Sequence, residues 1–228
     1  MSKRVYLCDI DNTLIDGWFA FAAFEYEVEK GILKPDTLQN IQNVLHFYRS
    51  GQLSYAEMLH KTLRIYACAL KGKNLQEVFN ADYEFACCEP QNIRPFFRDL
   101  LTHLSPENTD FFLVSTEPSQ MAKALALTID ADEIGSEMAV DDDSNFTGDI
   151  NILVTPEAKL AAIEAKGISL SSIYAAFGDS KSDEGMLAAA KHAFAVCPSP
   201  ELRAIAEERG WNIIDEHTSF ERYHHLFV

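Results

Sequence analysis

Arg4-Val5-Tyr6-Leu7-Cys8-Asp9-Ile10-Asp11-Asn12-Thr13 is the stretch on which the fold turns. Residues 4–10 are a short apolar run with the composition of a buried strand, and the run breaks into carboxylates at Asp9 and Asp11. A strand that ends in acidic residues suits an open α/β sheet, where ligands bind beyond the carboxyl ends of the strands. From residue 18 to residue 88 the texture is helical instead. Residues 18–30 form an apolar-rich helix closed by Gly31, and residues 35–50 form a second, with Pro35 near its start and Gly51 just past its end. Ser54 and Glu57 have capping-box spacing and open a third helix that stops near Gly72; Asn74 with Glu77 can open a fourth in the same way.

Beyond residue 90 the pattern alternates. Helices are expected over 94–103, 118–126, 156–167, 182–190 and 201–208. Strands are expected over 111–115, 137–140, 173–178, 192–197 and 212–214, with 146–154 as a hairpin or strand pair. Strands separated by single helices predict an α/β protein with a doubly wound parallel sheet. The first strand precedes the helical block and the others follow it. The economical organisation is therefore an α/β core of residues 1–16 and 91–228, interrupted by an all-helical insert, 17–90.

The chain has 228 residues, with 19 Lys and Arg against 35 Asp and Glu, a formal charge of −16 that argues against nucleic-acid and anionic-membrane partners. The insert is nearly balanced, with 7 basic and 9 acidic residues; the remainder, with 12 and 26, carries the acidity. No apolar run reaches the roughly 18 residues of a membrane span, and the apolar stretch at Val5–Cys8 is too short for a signal peptide. Five cysteines without framework spacing, two of them adjacent at Cys87-Cys88, predict free thiols in a reducing compartment and a cytoplasmic protein.

Three strand ends carry chemistry. Asp9 and Asp11, at i and i+2 as the first strand enters a loop, can converge on one reacting group. Gly178-Asp179-Ser180-Lys181-Ser182-Asp183 ends the strand at 173–177 in the same manner, with Asp179 at the sheet edge and Asp183 on the following helical turn. Capping of that helix by Asp179 or Ser180 is the plain alternative, but four acids on two strand ends call for a cation, and hard carboxylate oxygens select Mg²⁺. The strand at 111–115 ends in the hydroxyls of Ser115 and Thr116 before Pro118; a hydroxyl beside backbone N–H groups at a helix N-terminus suits phosphate, or serves as an N-cap. Lys159 lies in the first turn of the helix opened by Thr155-Pro156, where a cation opposes the helix dipole and a role in the site would explain it. Nucleophilic carboxylate, Mg²⁺, phosphate-cradling donors and a lysine are the set that phosphoryl transfer needs.

In this order the motifs resemble those of the haloacid-dehalogenase-like superfamily, in its phosphoserine-phosphatase-like branch, whose helical cap is inserted between the first and second motifs. Asp9-x-Asp11-x-Thr13 matches motif one, Ser115 motif two, Lys159 motif three, and Gly178-Asp179-x-x-x-Asp183 motif four. The resemblance implies a Rossmann-like core and an Mg²⁺-dependent phosphatase acting on a small phosphorylated metabolite through an aspartyl-phosphate. Asp9 would be nucleophile and metal ligand. Asp11 would be general acid and then base, its main-chain carbonyl on the metal. Thr13 and Ser115, with Thr116 beside it, would hold phosphoryl oxygens, and Lys159 would neutralise charge, with Lys166 a rival at the far end of its helix. Asp179 would ligate the metal; Asp183 would bind it through water or orient Lys159. Asp11 disfavours dehalogenation, because halide leaves without a proton whereas an alkoxide needs an acid.

Where phosphoserine phosphatases carry a Glu nine residues after the nucleophile, this chain has Trp18, and Thr62 stands where their cap Arg is expected, with Arg64 close by. Trp18, Phe19, Phe21 and Phe24 line an aromatic pocket or form the cap's own core; Trp18, nearest motif one, is the one expected to touch substrate, an aromatic or a cationic group. Asp141-Asp142-Asp143 reads as a solvated loop, and His217, His224 and His225 lack ligand spacing. A phosphotransferase using the same intermediate, or a non-catalytic protein keeping the fold as a scaffold, are the rival functions. The protein is expected as a monomer or homodimer.

Overall fold

The computed structural model describes residues 3–227. The opening run forms β1 (Arg4–Cys8), the central strand of a seven-stranded sheet. On one side lie β2 (Thr109–Pro118), β3 (Asp132–Val140) and β4 (Phe146–Ile152); on the other lie β5 (Ile173–Gly178), β6 (His192–Val196) and β7 (Asn212–Ile214). The order is β4-β3-β2-β1-β5-β6-β7, parallel throughout except for the antiparallel β3–β4 pair. The chain builds outward from β1 to one side and then returns to build the other. The crevice at this reversal is flanked by the carboxyl ends of β1, β2 and β5, where a doubly wound sheet places its ligand.

Side chains alternate across β1 because successive residues of a strand face opposite ways. Val5 and Leu7 enter the apolar layer beneath α7 (Lys159–Ala165), α8 (Glu184–Ala189) and α9 (Pro200–Arg209). Tyr6 and Cys8 enter the larger layer on the other face, with α5 (Pro95–His103) and α6 (Ser119–Thr128). Between β1 and β2 run α1 (Phe19–Glu29), α2 (Pro35–Arg49), α3 (Tyr55–Leu70) and α4 (Leu75–Ala86). Their buried Phe19, Phe24, Tyr66 and Val78 join the same apolar cluster as Tyr6 and Phe97, so these helices share a core with the sheet. Main-chain bonds pin them further: Gly72 N–H donates to Phe146 O at 2.8 Å and Phe146 N–H to Lys73 O at 2.9 Å.

The capping box at α3 forms as expected, Glu57 N–H donating to Ser54 Oγ at 3.3 Å and Ser54 N–H to Glu57 Oε2 at 2.8 Å. At α4, Asn74 Oδ1 instead accepts from Gln76 N–H at 3.0 Å, and Glu77 closes no reciprocal bond. β2 continues through Ser115, Thr116 and Glu117 to Pro118: beyond Val114 its ladder to β3 shifts register, Ser136 Oγ donates to Thr116 O at 2.9 Å, and Pro118 pairs with Ser136. β3 begins at Asp132, well before the expected 137; its first residues are acidic and disguise a strand whose pairing with Phe112–Val114 is nonetheless regular. The expected helix 156–167 splits into a 3₁₀ turn, Pro156–Ala158, and the shorter α7. Two further 3₁₀ turns, Phe220–Arg222 and His224–Leu226, had no sequence signal. They bring Phe220, Tyr223 and Phe227 against Phe96, Phe177 and Phe194, which buttresses the strand that carries Gly178. The five cysteines are unpaired, and no helix among the described residues is long and apolar enough to cross a membrane.

Candidate active site

Asp9 follows the last residue of β1 and extends its ladder, its N–H donating to Phe177 O at 3.0 Å. The chain then turns sharply: Asn12 adopts a left-handed φ of 55°, and Leu14 N–H and Ile15 N–H reach back to Asp9 O and Ile10 O. This turn sets Asp11 against the start of α1, where Asp11 Oδ1 accepts the Phe19 N–H at 2.7 Å. Lys159, the first residue of α7, is buried between two carboxylates, its Nζ 2.6 Å from Asp9 Oδ1 and 2.6 Å from Asp183 Oδ1. Lys166, the rival, lies at the protein surface, 3.6 Å from Glu133.

Asp183 is wholly buried and fully engaged. Its second oxygen accepts from Asp179 N–H and Ser180 N–H, each at 3.2 Å, and from Ser180 Oγ at 3.3 Å. Of the two roles expected for it, the hydrogen bonds describe the one that orients Lys159. Gly178 makes this possible: a Cβ there would sit 2.3 Å from Asp183 Cβ, so only glycine lets the carboxylate fold back over the strand end. Carboxylate oxygens of Asp9, Asp179 and Asp183 lie within 4.8 Å of one another. With Asp183's oxygens already hydrogen-bonded, Asp9 and Asp179 are the pair with capacity for a hard cation, and an all-oxygen donor set of this kind fits Mg²⁺.

The electrostatics agree. Burial pushes the Asp9 carboxyl well above its usual range, Lys159 opposes the shift, and Asp183 and Asp179 add to it. Burial and then Asp183 raise Asp179 to about 7. Burial raises Asp11 to about 6 despite the Phe19 N–H, placing a proton donor within reach of neutral pH. Burial acts to lower the Lys159 ammonium, but Asp183 and Asp9 outweigh it and the net shift is upward. Acids held this close are under-compensated by one lysine, the situation that a bound cation relieves.

These groups open onto a cavity of about 930 Å³ whose lining includes Asp9, Asp11, Trp18, Ser115, Thr116, Lys159 and Asp179. Thr13 is not brought to it: its side chain is fully buried, outside the lining, with Oγ1 unpartnered. Trp18 forms part of the opposite wall, its ring centroid 5.1 Å from Phe21, and Phe24 also reaches the cavity, whereas Phe19 packs inward on Phe85. Thr62 lines the cavity, and Arg64 pairs at the surface with Asp149 at 3.2 Å. Asp141-Asp142-Asp143 form the exposed turn between β3 and β4, Asp141 Oδ1 accepting from Asn145 N–H at 2.8 Å.

Sequence reasoning missed two site residues. Glu117 is buried beside Asp11, its Oε1 accepting the Ala20 N–H at 2.7 Å, and burial and then Asp11 drive its carboxyl strongly toward the neutral form. Tyr55 places its hydroxyl 3.3 Å from Thr116 Oγ1 over the cavity. Neither belongs to a spacing pattern: Tyr55 comes from the helical insert, and Glu117, although next to Thr116, owes its place to the Ala20 N–H 97 residues earlier.

Two carboxylates leaving the central strand of a doubly wound sheet, a lysine between acids and the hydroxyls of the adjacent strand thus face one cavity. Residues 6–188 match the haloacid dehalogenase-like hydrolase model, and the chain belongs to that family. It is 27% identical over 219 residues to the "Inhibition of morphological differentiation protein" of Streptomyces azureus, covering 92% of this chain and 77% of that protein. It is 25% identical over 224 residues to a histidinol-phosphatase of Neisseria meningitidis serogroup C, covering 93% and 99%. Its fold is also that of a phosphoserine phosphatase solved as a phospho-aspartyl intermediate analogue, with a TM-score of 0.60 at 17% identity over the whole of both chains.

Proposed function

We propose that this hydrolase is a phosphomonoesterase that cleaves small phosphate esters through a phosphorylated aspartate, with Mg²⁺ as its cation. The observation that carries the reading is the placement of Asp9. It stands at the end of the central strand, 2.6 Å from Lys159, with Asp11 beside it and the cavity in front. The histidinol-phosphatase relative supports a phosphorylated small alcohol as substrate.

Asp9 attacks phosphorus while Lys159 offsets the charge that gathers on the carboxylate and the phosphoryl oxygens. Asp11, held by Phe19 N–H, protonates the leaving alkoxide and afterwards takes the proton from the water that hydrolyses the acyl phosphate. Ser115 and Thr116 hold phosphoryl oxygens from the end of β2. Asp9 and Asp179, with the main-chain carbonyl of Asp11, would hold the cation, whose chemistry is to neutralise the phosphate dianion. The helices of residues 17–90 act as the cap that excludes water and selects the leaving group.

The test is hydrolysis of p-nitrophenyl phosphate with Mg²⁺, with EDTA, and by Asp9→Asn. Mg²⁺-dependent release that the variant loses is the expected result; release that survives in Asp9→Asn would contradict the mechanism.

A further inference from the structure

The cavity has two unlike walls. One is the charged floor made by the strand ends. The other is contributed by residues 18–63 and includes Trp18, Phe21, Phe24, Tyr55, Met58 and Leu63; no lysine, arginine, histidine, aspartate or glutamate from that segment reaches the lining. Among the described residues, the basic side chains lining the cavity are Lys159 and Lys181. Lys159 is held between Asp9 and Asp183, and Lys181 pairs with Glu201 at 2.6 Å. The arginines nearest this wall in sequence are occupied elsewhere: Arg64 pairs with Asp149, and Arg49 stacks on the Trp18 ring at 5.8 Å and lies outside the lining. Further acids, Glu117, Glu157, Glu184 and Glu201, complete the perimeter.

A second anionic group on the substrate would therefore lie against aromatic and aliphatic surface, with hydroxyls such as those of Ser54, Tyr55 and Thr62 but no cation that is not already paired with an acid. Burying an unpaired charge is strongly unfavourable, whereas apolar area gains from the same transfer and a cation is attracted by the ring faces. We propose that the leaving alcohol of the substrate has an apolar body and no anionic group beyond the phosphate, its remaining functionality being neutral or cationic. The inference rests on the phosphomonoesterase reading for the site and sets its substrate class; phosphorylated carboxylic acids, phosphoserine among them, fall outside it.

The test uses three aryl phosphates that share a phenolic leaving oxygen, so that differences arise in the pocket: para-ethylphenyl phosphate, tyramine O-phosphate and para-(phosphooxy)phenylpropanoate. The neutral and ammonium esters are expected to exceed the carboxylate ester at least ~tenfold in kcat/KM, or ~1.4 kcal/mol. Equal or inverted rates, with all three hydrolysed, overturn the substrate class and leave the phosphatase reading standing. A second readout does not need turnover. The chain has two tryptophans, so Trp211→Phe leaves Trp18 as the reporter, and its fluorescence titrates binding of para-ethylphenol, tyramine and para-hydroxyphenylpropanoate. Ranked binding without hydrolysis sustains the pocket's selectivity and sinks the phosphatase reading; unranked or absent binding of the three phenols overturns the substrate class.

Discussion

Lys159 Nζ and Asp9 Oδ1 meet at 2.6 Å across 150 residues of chain, joining the first strand to the helix whose first residue is the lysine. The same ammonium also binds Asp183, so it balances two buried carboxylates at once. Lys159→Met should leave both uncompensated and cost about 3–5 kcal/mol of stability. Urea unfolding at neutral pH reads this directly; a loss below ~1 kcal/mol would mean that the acids are balanced by something other than the lysine.

Gly178→Ala tests the packing beneath the cation site. The added Cβ would fall 2.3 Å from Asp183 Cβ and 2.8 Å from Asp183 Oδ2, so the carboxylate must leave its place. A destabilisation of about 1–3 kcal/mol is expected, with any rise in melting temperature on adding Mg²⁺ reduced as well. An unchanged metal response would separate Asp183 from the cation site.

Glu117 offers a contrast between two substitutions. Its Oε1 accepts the Ala20 N–H at the start of α1. Glu117→Gln keeps an acceptor and should stay within about 1 kcal/mol of the parent, because burial already favours the neutral acid. Glu117→Leu strands a buried N–H and should cost about 1–3 kcal/mol. Equal losses in denaturant midpoint for the two variants would show that the bond to Ala20 is not what Glu117 contributes.

Away from the cavity, Glu27 and Asp82 are buried together, with Glu27 Oε1 accepting from Tyr66 O–H at 2.7 Å and Gln120 Nε2 donating to the same hydroxyl at 3.0 Å. Glu27 Oε2 and both Asp82 oxygens have no donor. Burial raises Glu27 to about 7, with Tyr66 and Lys73 opposing; burial and then Glu27 raise Asp82 well above its ordinary value. Acids raised in the folded state bind more protons there than when unfolded, so their contribution is full below the ordinary carboxylate range and is lost as pH rises through about 7. The raised acids of the cavity give a slope of the same sign, which makes the difference between variant and parent the informative quantity. Asp82→Asn should gain about 1–3 kcal/mol on the parent between pH 5 and pH 8 in thermal or urea unfolding; parallel pH profiles would refute the shared burial.

Two strand ends were legible because each combines two local signals, an apolar run and an abrupt acidic stop: Asp9 and Asp179 stand where that pattern puts them, whereas Ser115 lies three residues inside β2, which runs on to Pro118. Lys159 was marked by its place against the helix dipole, but its partners became legible through the order of motifs, since the sequence of α7 does not reveal what its first residue faces. Thr13 and Glu117 mark the limit. The turn after Asp9 buries Thr13 away from the cavity, and Glu117 acquires its meaning from Ala20, 97 residues earlier. Local spacing encodes which residues leave a strand together, and it carries nothing about which distant backbone amide will be waiting. The closing aromatic turns were hidden for the same reason, their order coming from contacts with Phe96 and Phe177.

The most direct measurement is to mix the Mg²⁺-loaded protein with p-nitrophenyl phosphate, quench in acid within the first turnover, and weigh the peptide that contains Asp9. One added phosphoryl group on that peptide, labile to hydroxylamine and absent from Asp9→Asn, is the expected result. Turnover with no phosphorylated peptide at any quench time, or with the phosphoryl group on another residue, would contradict Asp9 as the nucleophile.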